Sequence, residues 1–336
     1  MSTALRAGVL GLGVMGRNHA RVLAALDGVE LVAIADTAVE PGGERDGAKV
    51  VRDLDELLAI GVDLCVVAVP TAEHLPVGLA LAEAGVHCLI EKPLALDVHE
   101  GRQLVDAFSR AGLVGCVGHV ERFNPALRAL HARLRAGELG AVYQVATSRQ
   151  GPFPARVRDV GVVKDLATHD LDLTAWIAGA GYVEVCAQVA RRTGRPHEDL
   201  VAVIGRLADG TVTNHLVNWL SPCKQRQVVV TGELGSFTAD TLTADLTFHA
   251  NGVVQLGWDA LSQVRGSSEG DMIRFAIPKP EPLTVELGAF RDAVVGGALA
   301  GEAVTLAEGL GAVAVAEAVL EAAATGRCVR LGDQPR

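Results

Sequence analysis

The sequence of 336 residues lacks the features that mark a membrane or secreted protein. No apolar run approaches the roughly 18 residues that a membrane-spanning helix needs, so we expect no membrane partner. The opening residues, MSTALRAGVLGLG, lack the apolar core and small-residue cleavage site of a secretory signal. We therefore expect a cytoplasmic protein.

Paired cysteines and positive charge are also scarce. The six cysteines are scattered without a C-x-x-C motif, which predicts no disulfide framework and no metal site. Cys65, Cys88 and Cys116 fall in predicted strands, where buried free cysteine is common. The formal net charge is -10 and the pI is near 5.5, whereas nucleic-acid binders are more often basic. We expect no nucleic-acid partner.

The order of predicted elements indicates two domains. Strands and helices alternate in the first part, which predicts an α/β domain of the Rossmann type with a doubly wound parallel sheet. Strands separated by short turns follow, which predicts an α+β domain with an open, mainly antiparallel sheet. We place the Rossmann domain at residues 1–122 and a substrate-binding and oligomerisation domain at 123–336.

A dinucleotide-binding fingerprint opens the chain. The segment Gly11-Leu12-Gly13-Val14-Met15-Gly16 follows a predicted strand and precedes a predicted helix. The next predicted strand ends at Asp36, where an acidic side chain accepts hydrogen bonds from the adenosine ribose and repels a 2′-phosphate. Thr37, not arginine, follows, so we favour NAD over NADP. A glycine turn with a strand-capping aspartate fits the same residues.

The segment Glu91-Lys92-Pro93 ends another predicted strand. Ligands of open parallel sheets bind just beyond the carboxyl ends of the strands, and proline stiffens the backbone there. Lys92 is placed to bind a substrate oxygen and to stabilise developing negative charge. The alternative is a surface Glu-Lys turn before a helix. The preceding strand ends at Pro70-Thr71, which we expect to contact the cofactor, and His74 is either a cofactor contact or a polar residue in a first helical turn.

A predicted helix at 165–178 bears three ionisable residues on a similar side. Asp165 and His169 are four apart and share a face, and Asp172 lies on a similar side. One interpretation is a general base, His169, with Asp165 binding substrate or tuning it. The other is a solvated face with an Asp–His pair.

Together these motifs resemble the glucose–fructose oxidoreductase, inositol dehydrogenase and rhizopine-catabolism family (Gfo/Idh/MocA). The matching residues are GLGVMG at 11–16, Asp36, VPT at 69–71, EKP at 91–93, and Asp165 with His169. The resemblance implies that Lys92 is the catalytic lysine, His169 the acid/base and Asp165 a substrate-binding acid. It also implies homodimers or homotetramers that pair sheet face to sheet face.

The resemblance extends to particular members. GHVERFNP at 118–125, the stretch 151–173, and NWLSPCKQR at 218–226 are similar to members that oxidise the 3-hydroxyl of UDP-N-acetylglucosamine or its uronic acid. Cations in these stretches could meet a pyrophosphate or carboxylate, or they are ordinary loop and strand-end charge. The predicted substrate-binding residues are Asn124, Arg156, Arg158, Asp165, Lys224 and Arg226. The predicted cofactor-binding residues are Gly11, Gly13, Met15, Gly16, Asp36, Pro70, Thr71, His74, Glu91 and Lys92.

The sequence thus predicts an NAD-dependent sugar dehydrogenase. Three alternatives stay open: an NADP-dependent sugar 3-ketoreductase of deoxysugar biosynthesis, an inositol-type polyol dehydrogenase, and a non-catalytic NAD-binding sensor. The intact set of Lys92, Asp165 and His169 argues against the sensor.

Overall fold

The structure, a computed structural model, describes residues 4–154, 160–252, 269–296 and 302–332. The chain divides into two compact units. The first unit comprises the chain up to Phe123 and the segment Pro280–Ala314, and the second comprises Asn124–Lys279 and the chain from Val315. No helix in the described ranges is long and apolar enough to cross a membrane.

The α-helices are named in chain order. They are α1 Val14–Leu23, α2 Leu54–Ile60, α3 His74–Glu83, α4 Val98–Ala111, α5 Pro125–Arg135, α6 Thr168–Ala178, α7 Pro282–Gly296 and α8 Leu306–Thr325. The strands are β1 Leu5–Leu10, β2 Val29–Ala35, β3 Glu44–Arg45, β4 Ala48–Val51, β5 Leu64–Val67, β6 His87–Glu91, β7 Gly115–Gly118, β8 Val142–Pro152, β9 Tyr182–Ala190, β10 Leu200–Leu207, β11 Val212–Asn218, β12 Leu220–Gly232, β13 Gly235–Asp240, β14 Asp245–Asn251, β15 Glu269–Arg274 and β16 Val329–Arg330.

The first unit is built on a seven-stranded sheet in the order β3-β4-β2-β1-β5-β6-β7. Its pairings are parallel except for the short β3–β4 hairpin. Alternate residues of β5 enter different apolar cores: Cys65 and Val67 enter one, and Leu64 and Val66 enter the other. This two-sided burial is what a parallel sheet covered by helices requires. The Rossmann prediction is confirmed.

The first unit also takes in α7, which corrects the predicted domain limits. Leu283, Leu287, Phe290 and Ala293 are spaced along one face of this helix and are buried in a core of the parallel sheet. The predicted second domain, 123–336, includes this helix. Sequence order does not show that the chain returns to the first unit at α7, because an apolar helix face fits the core of either unit.

The second unit has a nine-stranded sheet in the order β15-β14-β13-β12-β8-β11-β10-β9-β16. Strands β8 and β11 pair in parallel, and the other described strand pairings of this sheet are antiparallel. Alternation is clear in β10, where Val201 and Val203 are buried and Ala202 and Ile204 are exposed. The mainly antiparallel prediction is confirmed. The strands β15 and β16 of this sheet, like β3 and β4 of the first, were not predicted.

Two cysteines of the second unit form a disulfide. Cys186 in β9 and Cys328, just before β16, are bonded although 142 residues separate them in sequence. The prediction of no disulfide framework is therefore wrong for this pair. Pairing of β16 with β9 brings the two residues opposite each other, and sequence spacing gave no sign of it. Cys65, Cys88 and Cys116 are free and buried, as predicted.

Candidate functional site

The loop between β1 and α1 has the shape of a phosphate cradle. Gly11 has a φ of 94°, and a Cβ there would lie 2.5 Å from the carbonyl oxygen of Ala68. A Cβ on Gly16 would lie 1.8 Å from the oxygen of Gly11, whereas a Cβ on Gly13 would meet no atom within 4 Å. No described side chain caps α1 at Gly13. Open backbone N–H groups at a helix N-terminus suit a pyrophosphate, so this loop fits a dinucleotide.

Asp36 follows β2, which lies next to β1 in the sheet. Its carboxylate accepts hydrogen bonds from the backbone N–H groups of Leu12, at 2.5 Å, and Ala38, at 2.7 Å. These bonds hold the half-buried carboxylate beside the glycine loop. That is the position from which an acidic side chain binds the adenosine ribose in Rossmann domains.

The turn that bears Lys92 leaves the carboxyl end of β6, and the Lys92–Pro93 peptide is cis. Lys92 itself is half-buried. Glu91 lies beneath the turn with 8% of its surface exposed. Its carboxylate lies 2.8 Å from His19 Nε2 and accepts the Lys92 backbone N–H at 3.1 Å.

These contacts support the turn that bears Lys92, and a cofactor contact of Glu91 stays a prediction. Burial opposes its charge, yet the hydrogen bond and charge of His19 and the charge of Lys92 outweigh that effect and lower the pKa of Glu91. The carboxylate is therefore ionised and braces the backbone under Lys92.

A second buried acid, Glu286 of α7, was missed by sequence reasoning. It is 2% exposed, and burial, with the charge of Glu91 adding to it, raises its pKa well above the usual range. Burial and the charge of Glu91 thus favour the protonated form of Glu286. The available signal was an acidic residue between Leu283 and Leu287 on an apolar helix face. His19, which is fully buried in α1, carried a similar signal and was also missed.

The segment after β5 faces the same end of the sheet as Lys92, because β5 and β6 are parallel neighbours. Pro70 is exposed and Thr71 begins a single 3₁₀ turn. His74 follows it, is 1% exposed, and directs its ring nitrogens at backbone carbonyl oxygens. Pro70 and Thr71 remain predicted cofactor contacts, whereas the side chain of His74 binds the protein backbone.

In the second unit, a π-helical segment at Val163–Ala167 precedes α6. Asp165 lies within this segment, and His169 is the second residue of α6. The predicted regular helix from 165 is therefore wrong in its first turn, and π-turns are frequent at functional sites. Asp165 and Asp172 are 6% and 3% exposed, which excludes a solvated face, whereas His169 is half-buried.

A buried ion pair fixes the helix that bears His169. Arg149 Nε of β8 donates to Asp170 Oδ1 at 2.9 Å, and the two side chains are 4% and 2% exposed. Breaking such a pair leaves an uncompensated buried charge, which is strongly destabilising. The pair holds α6 against β8 beside Asp165 and His169.

The predicted substrate-binding residues have different surroundings. Asn124 caps α5 by accepting the Ala126 N–H and donates to the Thr241 carbonyl, and its contact with substrate stays a prediction. Arg226 donates to the carbonyl of Gln150, while Lys224 is exposed and lies next to Gly151. Arg156 and Arg158 lie outside the described residues.

Both units match known family domains. The description "Oxidoreductase family, NAD-binding Rossmann fold" matches residues 5–119, and "GFO/IDH/MocA C-terminal domain" matches residues 127–238. The chain belongs to the Gfo/Idh/MocA oxidoreductase family. Its first unit is accordingly the NAD-binding domain of that family.

Individual relatives include dehydrogenases of different substrates. The UDP-N-acetylglucosamine 3-dehydrogenase of Acidithiobacillus ferrooxidans is 36% identical over 62% of this chain and 66% of its own length. The scyllo-inositol 2-dehydrogenase (NAD(+)) of Bacillus subtilis is 31% identical over 55% of this chain and 57% of its own length. The matches thus span less than two thirds of either curated relative.

Solved structures match over nearly the full chain. That of the Acidithiobacillus ferrooxidans enzyme has a TM-score of 0.80 at 28% identity, covering 95% of this chain and 97% of that one. The structure of GenD2 from gentamicin A biosynthesis, in complex with NAD, has a TM-score of 0.79 at 28% identity. The match covers 99% of this chain and 98% of that one.

Proposed function

We propose that the protein is an NAD-dependent dehydrogenase that oxidises a secondary hydroxyl of a sugar or polyol. The observation that carries this proposal is Lys92, on a braced turn at the carboxyl end of β6, in a chain that also has Asp165 and His169. Homologues named as dehydrogenases support the reaction class.

Each proposed role follows from side-chain chemistry. His169 accepts the hydroxyl proton, because imidazole exchanges protons near neutral pH. Lys92 donates a hydrogen bond to the substrate oxygen and stabilises the developing alkoxide. Asp165 binds the substrate or tunes His169. Gly11, Gly13, Gly16 and Asp36 would hold NAD, which when bound supplies the hydride acceptor.

For the substrate we propose a UDP-N-acetylglucosamine-type nucleotide sugar oxidised at its 3-hydroxyl. The support is the 36% identical relative of that name and the cations Lys224 and Arg226 on β12. A diphosphate needs nearby cations for charge-assisted hydrogen bonds. Inositol-type polyols are the second candidate, since inositol 2-dehydrogenases are also relatives.

A screen of NAD reduction with different sugars and polyols tests both the proposed reaction and the proposed substrate. We expect turnover with UDP-N-acetylglucosamine or its uronic acid, and Lys92→Ala should lower kcat by ~10²–10³-fold while NAD still binds. Lys49→Ala removes an exposed lysine of β4 and is the matched control. Absence of turnover with every sugar and polyol would contradict the dehydrogenase proposal. Turnover with inositol alone, unaffected by Lys224→Ala, would replace the nucleotide sugar with a polyol.

We further propose that the protein forms homodimers or homotetramers through the open face of the second sheet. Ile204, Val212 and Leu216 lie on this face and are 61%, 45% and 39% exposed. The opposite face is covered by α5 and α6. Adjacent exposed apolar side chains on one sheet face are typical of an association surface.

A further inference from the structure

The side chain of His74 lies within hydrogen-bond distance of both the segment after β5 and the turn after β6. Its Nδ1 lies 3.0 Å from the carbonyl oxygen of Pro93 and 3.2 Å from that of Leu94. Its Nε2 lies 3.1 Å from the carbonyl oxygen of Val69. The ring therefore lies between the residues that follow Lys92 and the residue that precedes Pro70.

Burial and the start of a helix restrict the position of the His74 ring. His74 is 1% exposed and is the first residue of α3, directly after the 3₁₀ turn that contains Thr71. A buried carbonyl oxygen without a donor costs about 1–3 kcal/mol, so the segment whose carbonyl accepts the ring N–H is stabilised by that bond. Displacing His74 would disturb both loops together.

The chemistry of imidazole suits this task. A neutral ring donates through one nitrogen at a time, and a protonated ring donates through both. Burial lowers the pKa of His74 more than the carbonyls of Val69, Leu94 and Pro93 and the charge of Glu91 raise it, so the neutral ring predominates at pH 7. The ring then has one N–H, which is donated either to the carbonyl of Val69 or to those of Pro93 and Leu94, and both segments pack against the same ring.

We propose that His74 is a positioning residue that sets the Lys92 turn relative to the Val69–Thr71 segment. This inference rests on the proposed function, in which Lys92 acts on the substrate oxygen and Pro70 and Thr71 contact the cofactor. From the other side, Glu91 holds the Lys92 N–H. The turn is thus held by a carboxylate at the Lys92 N–H and by an imidazole at the carbonyls of Pro93 and Leu94.

The test compares His74→Phe, which keeps an aromatic ring without nitrogens, with His74→Gln, which keeps a donor on a flexible chain. A displacement of about 1 Å can cost ~10²-fold in rate, so kcat should fall by about that factor in His74→Phe and by roughly tenfold in His74→Gln. KM for NAD should change much less than kcat. All rates are taken on folded protein, and His74→Gln preserves the test if the phenylalanine variant does not fold.

His87→Phe is the matched control. His87 accepts the Val114 N–H at 2.9 Å and lies at the end of β6 that is opposite the Lys92 turn. It should lower stability but leave kcat near the wild-type value. Amide hydrogen exchange without substrate gives a second readout, because exchange should rise together at 69–73 and 91–96 only in the His74 variants.

The outcomes separate this inference from the proposed function. If amide exchange rises in both segments of the His74 variants but the wild type has no dehydrogenase activity, the positioning role of His74 is supported and the proposed dehydrogenase function is rejected. An active wild type with His74 variants whose kcat stays within about threefold would reject the positioning role. Equal loss of kcat in His87→Phe would also reject it, since the effect would then be general.

Discussion

At the scale of single residues, acidic side chains at the carboxyl ends of the strands differ in burial and therefore in task. Asp36 is half-buried and bonded to two backbone N–H groups, which keeps its carboxylate at the edge of the glycine loop. Glu91 is buried and bonded to His19 and the Lys92 backbone. Glu91 is thus buried under hydrogen bonds within the protein, whereas Asp36 stays partly accessible.

The cofactor prediction belongs to this scale. Asp36 should favour NAD over NADP because a carboxylate accepts the ribose hydroxyls and repels a 2′-phosphate. Asp36→Ser should weaken NAD binding and narrow the preference, measured as the ratio of kcat/KM for the two cofactors. Asp46→Ser, an exposed residue of the β3–β4 turn, should leave the ratio unchanged. A wild type that prefers NADP would support the ketoreductase alternative.

At the scale of secondary structure, the helices that follow β4 and β6 begin at aspartate caps. Asp53 accepts the Glu56 N–H at 3.0 Å and Asp97 accepts the Glu100 N–H at 2.8 Å. The Asp97 cap lies five residues after Lys92 and fixes the start of α4 at Val98, so the turn is bounded by a strand and a capped helix.

Removing the Asp97 cap should destabilise the first unit without changing the chemistry. Asp97→Ala should lower the free energy of unfolding by about 1 kcal/mol, because an N-terminal N–H of α4 loses its acceptor. Urea denaturation measures the change. Asp106→Ala alters an exposed aspartate in the middle of the same helix and is the control. An equal effect of the two substitutions would show that the loss reflects general charge and not capping.

At the scale of the whole molecule, two sheets with different burial patterns share one chain. The seven-stranded sheet is covered on both faces, whereas the nine-stranded sheet leaves one face open. The helix α8 begins in the first unit and ends in the second, so the closing segments belong to both. This division explains why a single boundary near residue 122 describes the chain incompletely.

The open sheet face predicts self-association. Ile204→Asp places a charge among Ile204, Val212 and Leu216, and it should shift the protein to a smaller species in sedimentation velocity. Val295→Asp alters a side chain of α7 that is 71% exposed, and it should leave the sedimentation coefficient unchanged. A monomeric wild type, or an oligomer indifferent to Ile204→Asp, would contradict the proposed interface.

The sequence by itself determined the features that depend on local pattern. Apolar runs ending in Gly11, Asp36 and Lys92 predicted the strands and the residues beyond them, since strand length and glycine spacing are local properties. The order of strands and helices determined the two sheet types. The motif set also identified the family.

Only the tertiary structure decided which side chains meet across distant parts of the chain. It brought Cys328 to Cys186, α7 to the first sheet, and His74 to the carbonyls of Val69 and Pro93. It also assigned Asn124 to a helix cap and Glu91 to His19. The physical reason is that burial and hydrogen-bond partners depend on packing between remote segments, and a local pattern does not encode that packing.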